Sequence, residues 1–170
     1  MSKDGTVLAE TTFTPLRGSS SVRATLPPEA ATYTLFKSFE RTSAVSPKVE
    51  SLWTFRSARP ESAEPQALPL APVRYMPAGL NDGNQAPKGR PTVLPVWVER
   101  APGAPAAAPK SLKVEASFDD GATWRPVPFA GKPGIGVVTV TPPGTASFVS
   151  LRATAVDQVV QTVVRAYQLR

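Results

Sequence analysis

Proline sets the first limit on what this chain can become. It occurs 20 times in 170 residues, and each proline fixes φ and removes a backbone N–H, which breaks helix interiors. Short strands joined by turns tolerate such a load. A hydrophobic content of 41% supplies a core and argues against disorder. The chain therefore reads as all-β, with a length that suits one large domain or two small ones.

The apolar pattern agrees, because alternation dominates and helical periodicity is weak. Thr6 to Phe13 reads as a strand following the turn residues Asp4-Gly5. Ser20 to Leu26 reads as another, ended by Pro27-Pro28. Ala31 to Phe39 places Tyr33, Leu35 and Phe39 on one face, and Val49 to Phe55 does the same with Trp53 and Phe55. These form an N-terminal β unit over residues 1–60, few in strands for a core of its own. Arg59 to Pro69, rich in Pro, Glu, Ser and Ala, reads as a connection (61–69).

Beyond it, residues 70–170 hold about seven strand candidates, the number an immunoglobulin or fibronectin III-like β-sandwich requires. They are Leu70–Met76, Thr92–Arg100, Ser111–Phe118, Thr123–Pro128, Gly136–Thr141, Phe148–Val156 and Val160–Tyr167. Val149, Leu151, Ala153 and Ala155 share one face, as do Val160, Thr162, Val164 and Ala166, with Asp157-Gln158 turning between the two strands. Ala101 to Pro109 reads as an exposed, proline-stiffened loop.

Several chemistries are excluded by composition. The chain has no Cys and no His, which removes disulfides, thiolate zinc sites, cysteine nucleophiles and any Ser-His-Asp triad. The net charge is +6, but the basic residues are scattered, with Lys88 and Arg90 the densest spot, so no nucleic-acid footprint emerges. No run approaches the ~18 apolar residues of a membrane span. Met1 to Gly5 has no apolar core for a signal peptide. The chain is thus expected to be either intracellular or a fragment that begins at an added Met.

One motif is sharp. Ser117-x-Asp119-x-Gly121-x-Thr123-Trp124 matches the Asp-box pattern at every defined position. Asp120-Gly121 suits a tight hairpin turn, since Gly accepts positive φ. The Asp119 carboxylate suits hydrogen bonds from turn N–H groups, Thr123 offers a hydroxyl, and Trp124 folds over the hairpin. The expected role is structural, bracing the hairpin between Ser111–Phe118 and Thr123–Pro128. A competing role is calcium binding by Asp119, with Asn81-Asp82-Gly83-Asn84 as the other acidic turn. No cofactor is otherwise expected. Trp53, Trp97 and Trp124 raise the alternative of a sugar-stacking platform, although their strand positions favour packing. Gly131, Gly134 and Gly136 precede a strand, not a helix, and so make no phosphate cradle. Glu61 and Glu64 lie in the proline-rich connection and form no acid–base pair. No residue is expected to be catalytic.

A resemblance extends this reading. The stretches Leu52-Trp53-Thr54-Phe55-Arg56-Ser57, Leu68-Pro69-Leu70 with Val73-Arg74-Tyr75, Leu80-Asn81-Asp82-Gly83-Asn84-Gln85-Ala86-Pro87, Val114 to Trp124, and Val149 to Asp157 followed by Gln161 to Tyr167 appear in order over residues 30–170. Together they resemble the C-terminal accessory region of actinobacterial subtilisin-like serine proteases. The turn Asp157-Gln158-Val159-Val160 departs from it, being shorter and lacking the family's Gly-Asn turn. The resemblance implies a secreted, extracellular, non-enzymatic domain, with the protease domain upstream in cis as its partner. It implies roles in stability, spacing, or binding a protein or polysaccharide substrate at the cell surface. The alternative is a carbohydrate-binding or adhesive module tied to no protease.

Overall fold

A computed structural model describes residues 1–12, 22–61, 68–100, 108–156 and 158–170. Among them there is no helix, and the strands form two sheets, one of nine strands and one of four. The fold is all-β and sandwich-like. The pairing is antiparallel throughout except where one short strand adds in parallel.

The large sheet begins with β1 (Ser2–Lys3) and β2 (Thr6–Val7). The turn between them places Asp4 and Gly5 at positive φ. Of the expected strand Thr6–Phe13, only Thr6–Val7 pairs as strand among the described residues. Met1 C=O accepts the last two N–H groups, from Leu8 and Ala9; Phe13 lies outside the described residues. β3 (Ala31–Glu40) and β4 (Lys48–Ser57) pair over ten positions. Their Tyr33 and Phe55 sit opposite each other, with ring centroids 6.1 Å apart. The expected strand Ser20–Leu26 is absent over residues 22–26. There the Leu26 and Pro27 carbonyls accept from the Arg59 side chain and backbone instead of from a ladder.

The small sheet contains β5 (Val73–Tyr75), β7 (Thr92–Val98), β10 (Phe129–Lys132) and β11 (Ile135–Val140), in the order β10-β11-β7-β5. The large sheet continues with β6 (Gln85–Ala86), β8 (Leu112–Ser117), β9 (Arg125–Pro126), β12 (Phe148–Ala155) and β13 (Val159–Leu169). β13 is the hub. It pairs with β12 on one edge, and with β4 and then β6 on the other. Residues from before position 60 and after position 70 thus share one continuous sheet.

The core lies between the sheets. Val114, Leu151 and Val149 come from one side, and Leu94, Val96 and Val138 from the other. On β13 the inward set is Val159, Gln161, Tyr167 and Leu169, while Val160, Thr162, Val164 and Ala166 are not buried. Gln161 is a buried polar residue with a structural reason. Its side chain accepts from Val73 N–H at 3.2 Å and donates to Val73 C=O at 2.7 Å, joining the large sheet to the first strand of the small one. Both Val73 backbone groups are thereby satisfied in the interior. Burial pushes the Tyr167 phenol up to about 12, against the pull of the Thr92 hydroxyl.

Three strands lie where the sequence pattern predicts none: β1, β6 and β10. The first two have two residues each, and the third contains Gly131. The expected Gly-rich loop is the β10–β11 hairpin, with Gly134 turning at φ +85. Gly136 is required by packing, since a Cβ there would meet the Phe129 ring at 2.6 Å. The central stretches of the Arg59–Pro69 connection and of the Ala101–Pro109 loop lie outside the described residues, as does Asp157.

Candidate functional site

The Ser117–Trp124 segment joins β8 to β9 at the edge of the large sheet. Asp120 and Gly121 take φ values of 58° and 93°, the signs a type I′ hairpin turn needs at both central positions. Ala122 N–H closes the turn on Asp119 C=O at 3.2 Å. A short Gly-containing turn therefore forms where Asp-Gly stands in the sequence, and β9 behind it is only two residues long.

The side chains around the turn form a closed network. Ser117, 1% exposed, donates its hydroxyl to Asp119 Oδ1 at 2.7 Å and accepts from Gly121 N–H at 2.8 Å. Asp119 Oδ1 also accepts from Thr123 N–H at 2.9 Å, and Oδ2 accepts from the Thr123 hydroxyl. Both carboxylate oxygens thus face donors of their own loop. The Thr123 hydroxyl and amide, then the Ser117 hydroxyl, draw the Asp119 carboxyl down from 3.8 to about 2. Trp124 is half-buried and packs against Gly121, where a Cβ would lie 3.3 Å from the indole. Its other neighbour is Arg152, whose guanidinium carbon sits 4.6 Å from the ring centroid.

Two ion pairs extend the network, and neither was legible in the motif. Arg152 grips Glu115 in bidentate fashion, at 2.7 and 2.9 Å, across the β8–β12 pairing. Arg165 grips Asp120 at 2.9 and 2.6 Å and lies 4.7 Å from the Phe148 ring centroid. Each arginine's hydrogen bonds lower the pKa of the carboxylate it holds. Arg165 reaches the turn because β12 and β13 shift register between Val149 and Leu151. There Arg165 adopts φ 52°, with its N–H held by Ser150 Oγ and its C=O by Ser46 N–H. Such irregularities re-aim side chains, and this one points a cation at the turn.

The second acidic turn is also internally bonded. Asn81 Oδ1 accepts from Gly83 and Gln85 N–H at 3.0 and 2.9 Å, which leads the chain into β6. Among the described residues, no group of three or more acidic side chains is placed to hold a metal ion. A cavity of about 170 Å³ adjoins the turn, lined in part by Phe118, Asp119, Thr123, Arg125 and Thr145. The three tryptophans do not converge. Trp53 is buried in the core, Trp124 lies against Arg152 at the large sheet, and Trp97 stands on the small sheet. Among the described residues, no helix is long and apolar enough to cross a membrane.

No protein-family model, no curated protein and no solved structure matches this chain.

Proposed function

We propose that this chain is a non-catalytic accessory module, an immunoglobulin or fibronectin III-like sandwich that works beside a subtilisin-like serine protease domain in cis outside the cell. The observation that carries the non-catalytic part is the Asp119 carboxylate. Its Oδ1 accepts from Ser117 and Thr123, and its Oδ2 from Thr123, all of the same loop. A substrate or cation would have to displace those donors first. The absence of His and Cys from the sequence supports the same reading. The protease partner rests on the sequence resemblance alone.

The test is a fusion. A subtilisin-like protease domain placed ahead of residue 1 is secreted and assayed with and without the chain. The reading expects slower thermal inactivation or a changed substrate range when the chain is present. Unchanged secretion, stability and substrate range contradict it. A carbohydrate-binding role is the second reading, and Trp97 favours it by standing half-buried on an apolar outer face. Retention on an insoluble polysaccharide that is lost in Trp97→Ala supports that role, and no retention removes it.

A further inference from the structure

Aspartate followed by glycine is a pair open to self-modification, because glycine has no side chain to shield its amide. The chain has three such pairs, Asp4-Gly5, Asp82-Gly83 and Asp120-Gly121. In the reaction the Gly nitrogen attacks Cγ of the preceding protonated carboxyl. A C–N bond forms, and the amide proton leaves with the carboxyl hydroxyl as water. Water then reopens the cyclic imide. Cleavage of the new C–N bond restores Asp. Cleavage of the original peptide C–N bond leaves the main chain running through the side chain, as isoaspartate. The water lost is regained, so the change is an isomerisation and needs no co-reactant.

Two of the pairs share a backbone shape and differ in what holds them. Asp4 and Gly5 take φ values of 48° and 80°, and Asp120 and Gly121 take 58° and 93°. At the second turn Gly121 N–H is bound to Ser117 Oγ at 2.8 Å, and Arg165 grips both Asp120 oxygens. Arg165 also lowers the Asp120 pKa, which depletes the protonated carboxyl that the reaction needs. At Asp82-Gly83 the carboxylate has no partner among the described residues, but Gly83 N–H is bound to Asn81 Oδ1 at 3.0 Å. At Asp4-Gly5 neither group is held. Both residues are exposed, and nothing beyond the chain neighbours lies within 4 Å of where a Gly5 Cβ would stand. Among the described residues no hydrogen bond or ion pair engages the Asp4 carboxylate or the Gly5 N–H.

We infer that Asp4-Gly5 is a site of spontaneous isoaspartate formation in the folded chain, and that Ser117 and Arg165 protect Asp120-Gly121 from the same change. The product lengthens the main chain in the two-residue turn that sets the Ser2–Val7 and Lys3–Thr6 register. It therefore loosens the hairpin that lies against β3 through the Ser2 and Thr34 hydroxyls. The test incubates the folded chain at mildly acidic pH and locates isoaspartate by isoaspartyl methyltransferase labelling and peptide mapping. A parallel sample in guanidinium gives the unrestrained reactivity of each pair. Folded, Asp4 is expected to exceed Asp120 by about tenfold or more, because a hydrogen bond to a charged group must open first. It exceeds Asp82 by a smaller factor, and in guanidinium the gap to Asp120 closes. Arg165→Met and Ser117→Ala each raise the folded yield at Asp120 and leave Asp4 and Asp82 unchanged, which separates lost protection from global unfolding. The inference is overturned by equal folded yields at Asp4 and Asp120, or by a folded yield at Asp82 or Asp120 above that at Asp4. No isoaspartate at Asp4 while the guanidinium sample forms it, or a flat Asp120 yield in both variants, also overturns it.

Discussion

The two outer faces of this sandwich are built differently. On the large sheet the outward rows are mostly polar. Ser38, Glu50 and Thr162 form one, continued by Arg152 and Glu115. Its charges are paired, Glu115 with Arg152 and Lys48 with Glu50. The exposed apolar residues Phe36, Leu52 and Val160 make a single row across three strands, bordered by polar rows on either side. On the small sheet the outward rows are apolar, and the Ile135–Trp97 row ends on Lys132 at one side and on the Arg74–Glu99 pair at the other. Isolated exposed hydrophobics are ordinary on a protein surface. A whole apolar face is not, and the difference teaches that one sheet meets water with paired charges while the other presents contiguous apolar surface.

The sharpest way to break this comparison is to set the two sides of the small sheet against each other. Leu94→Ala, inward, should cost about 2–5 kcal/mol in denaturant unfolding. Its neighbour Val93→Thr, outward, should change stability by less than about 0.5 kcal/mol. Similar losses at both positions would mean that the outer face is already covered within this chain. Next in size is the tie between the sheets. Gln161→Leu leaves Val73 N–H and C=O buried without partners and should cost about 2–4 kcal/mol by the same measurement.

The large sheet's outer edge gives smaller effects. Ser117→Ala removes the buried hydroxyl that Gly121 N–H and Asp119 share, and should cost about 1–2 kcal/mol. Arg152→Met loses both the Glu115 pair and the Trp124 contact, about 1 kcal/mol, and salt should shrink that difference. The smallest effect is with pH. The Asp119 carboxyl is depressed in the folded chain, so its contribution is complete above about pH 4 and is lost as pH falls towards 2. Amide exchange at Thr123 should quicken through that window, and in Asp119→Asn the added acid dependence should vanish.

The sequence made some of this legible. β3, β4 and β12 were readable because one face of each packs on the core, which writes alternation directly into the chain. β13 was readable as a strand, but its inward face includes Gln161, and polarity hides such a residue until its partner Val73, 88 positions away, is known. β1, β6 and β10 are too short or too glycine-rich to carry a period. At the candidate site, Asp120-Gly121 announced the turn through local backbone preference. Its arginines did not announce themselves, since Arg152 and Arg165 arrive by strand pairing and a register shift. The consecutive apolar residues of β7 and β11 were visible in the sequence; only the pairing showed that half of them point away from the core.

The central claim is that the outer face of the small sheet, and not that of the large one, presents a contiguous apolar surface. Titrating the isotope-labelled chain with bis-ANS, an anionic apolar dye, and following amide shifts by NMR tests it most directly. The account predicts perturbations clustered at Val93, Trp97, Ile135 and Val137. Perturbations centred on Phe36, Leu52 and Val160, or spread evenly over both sheets, would contradict it.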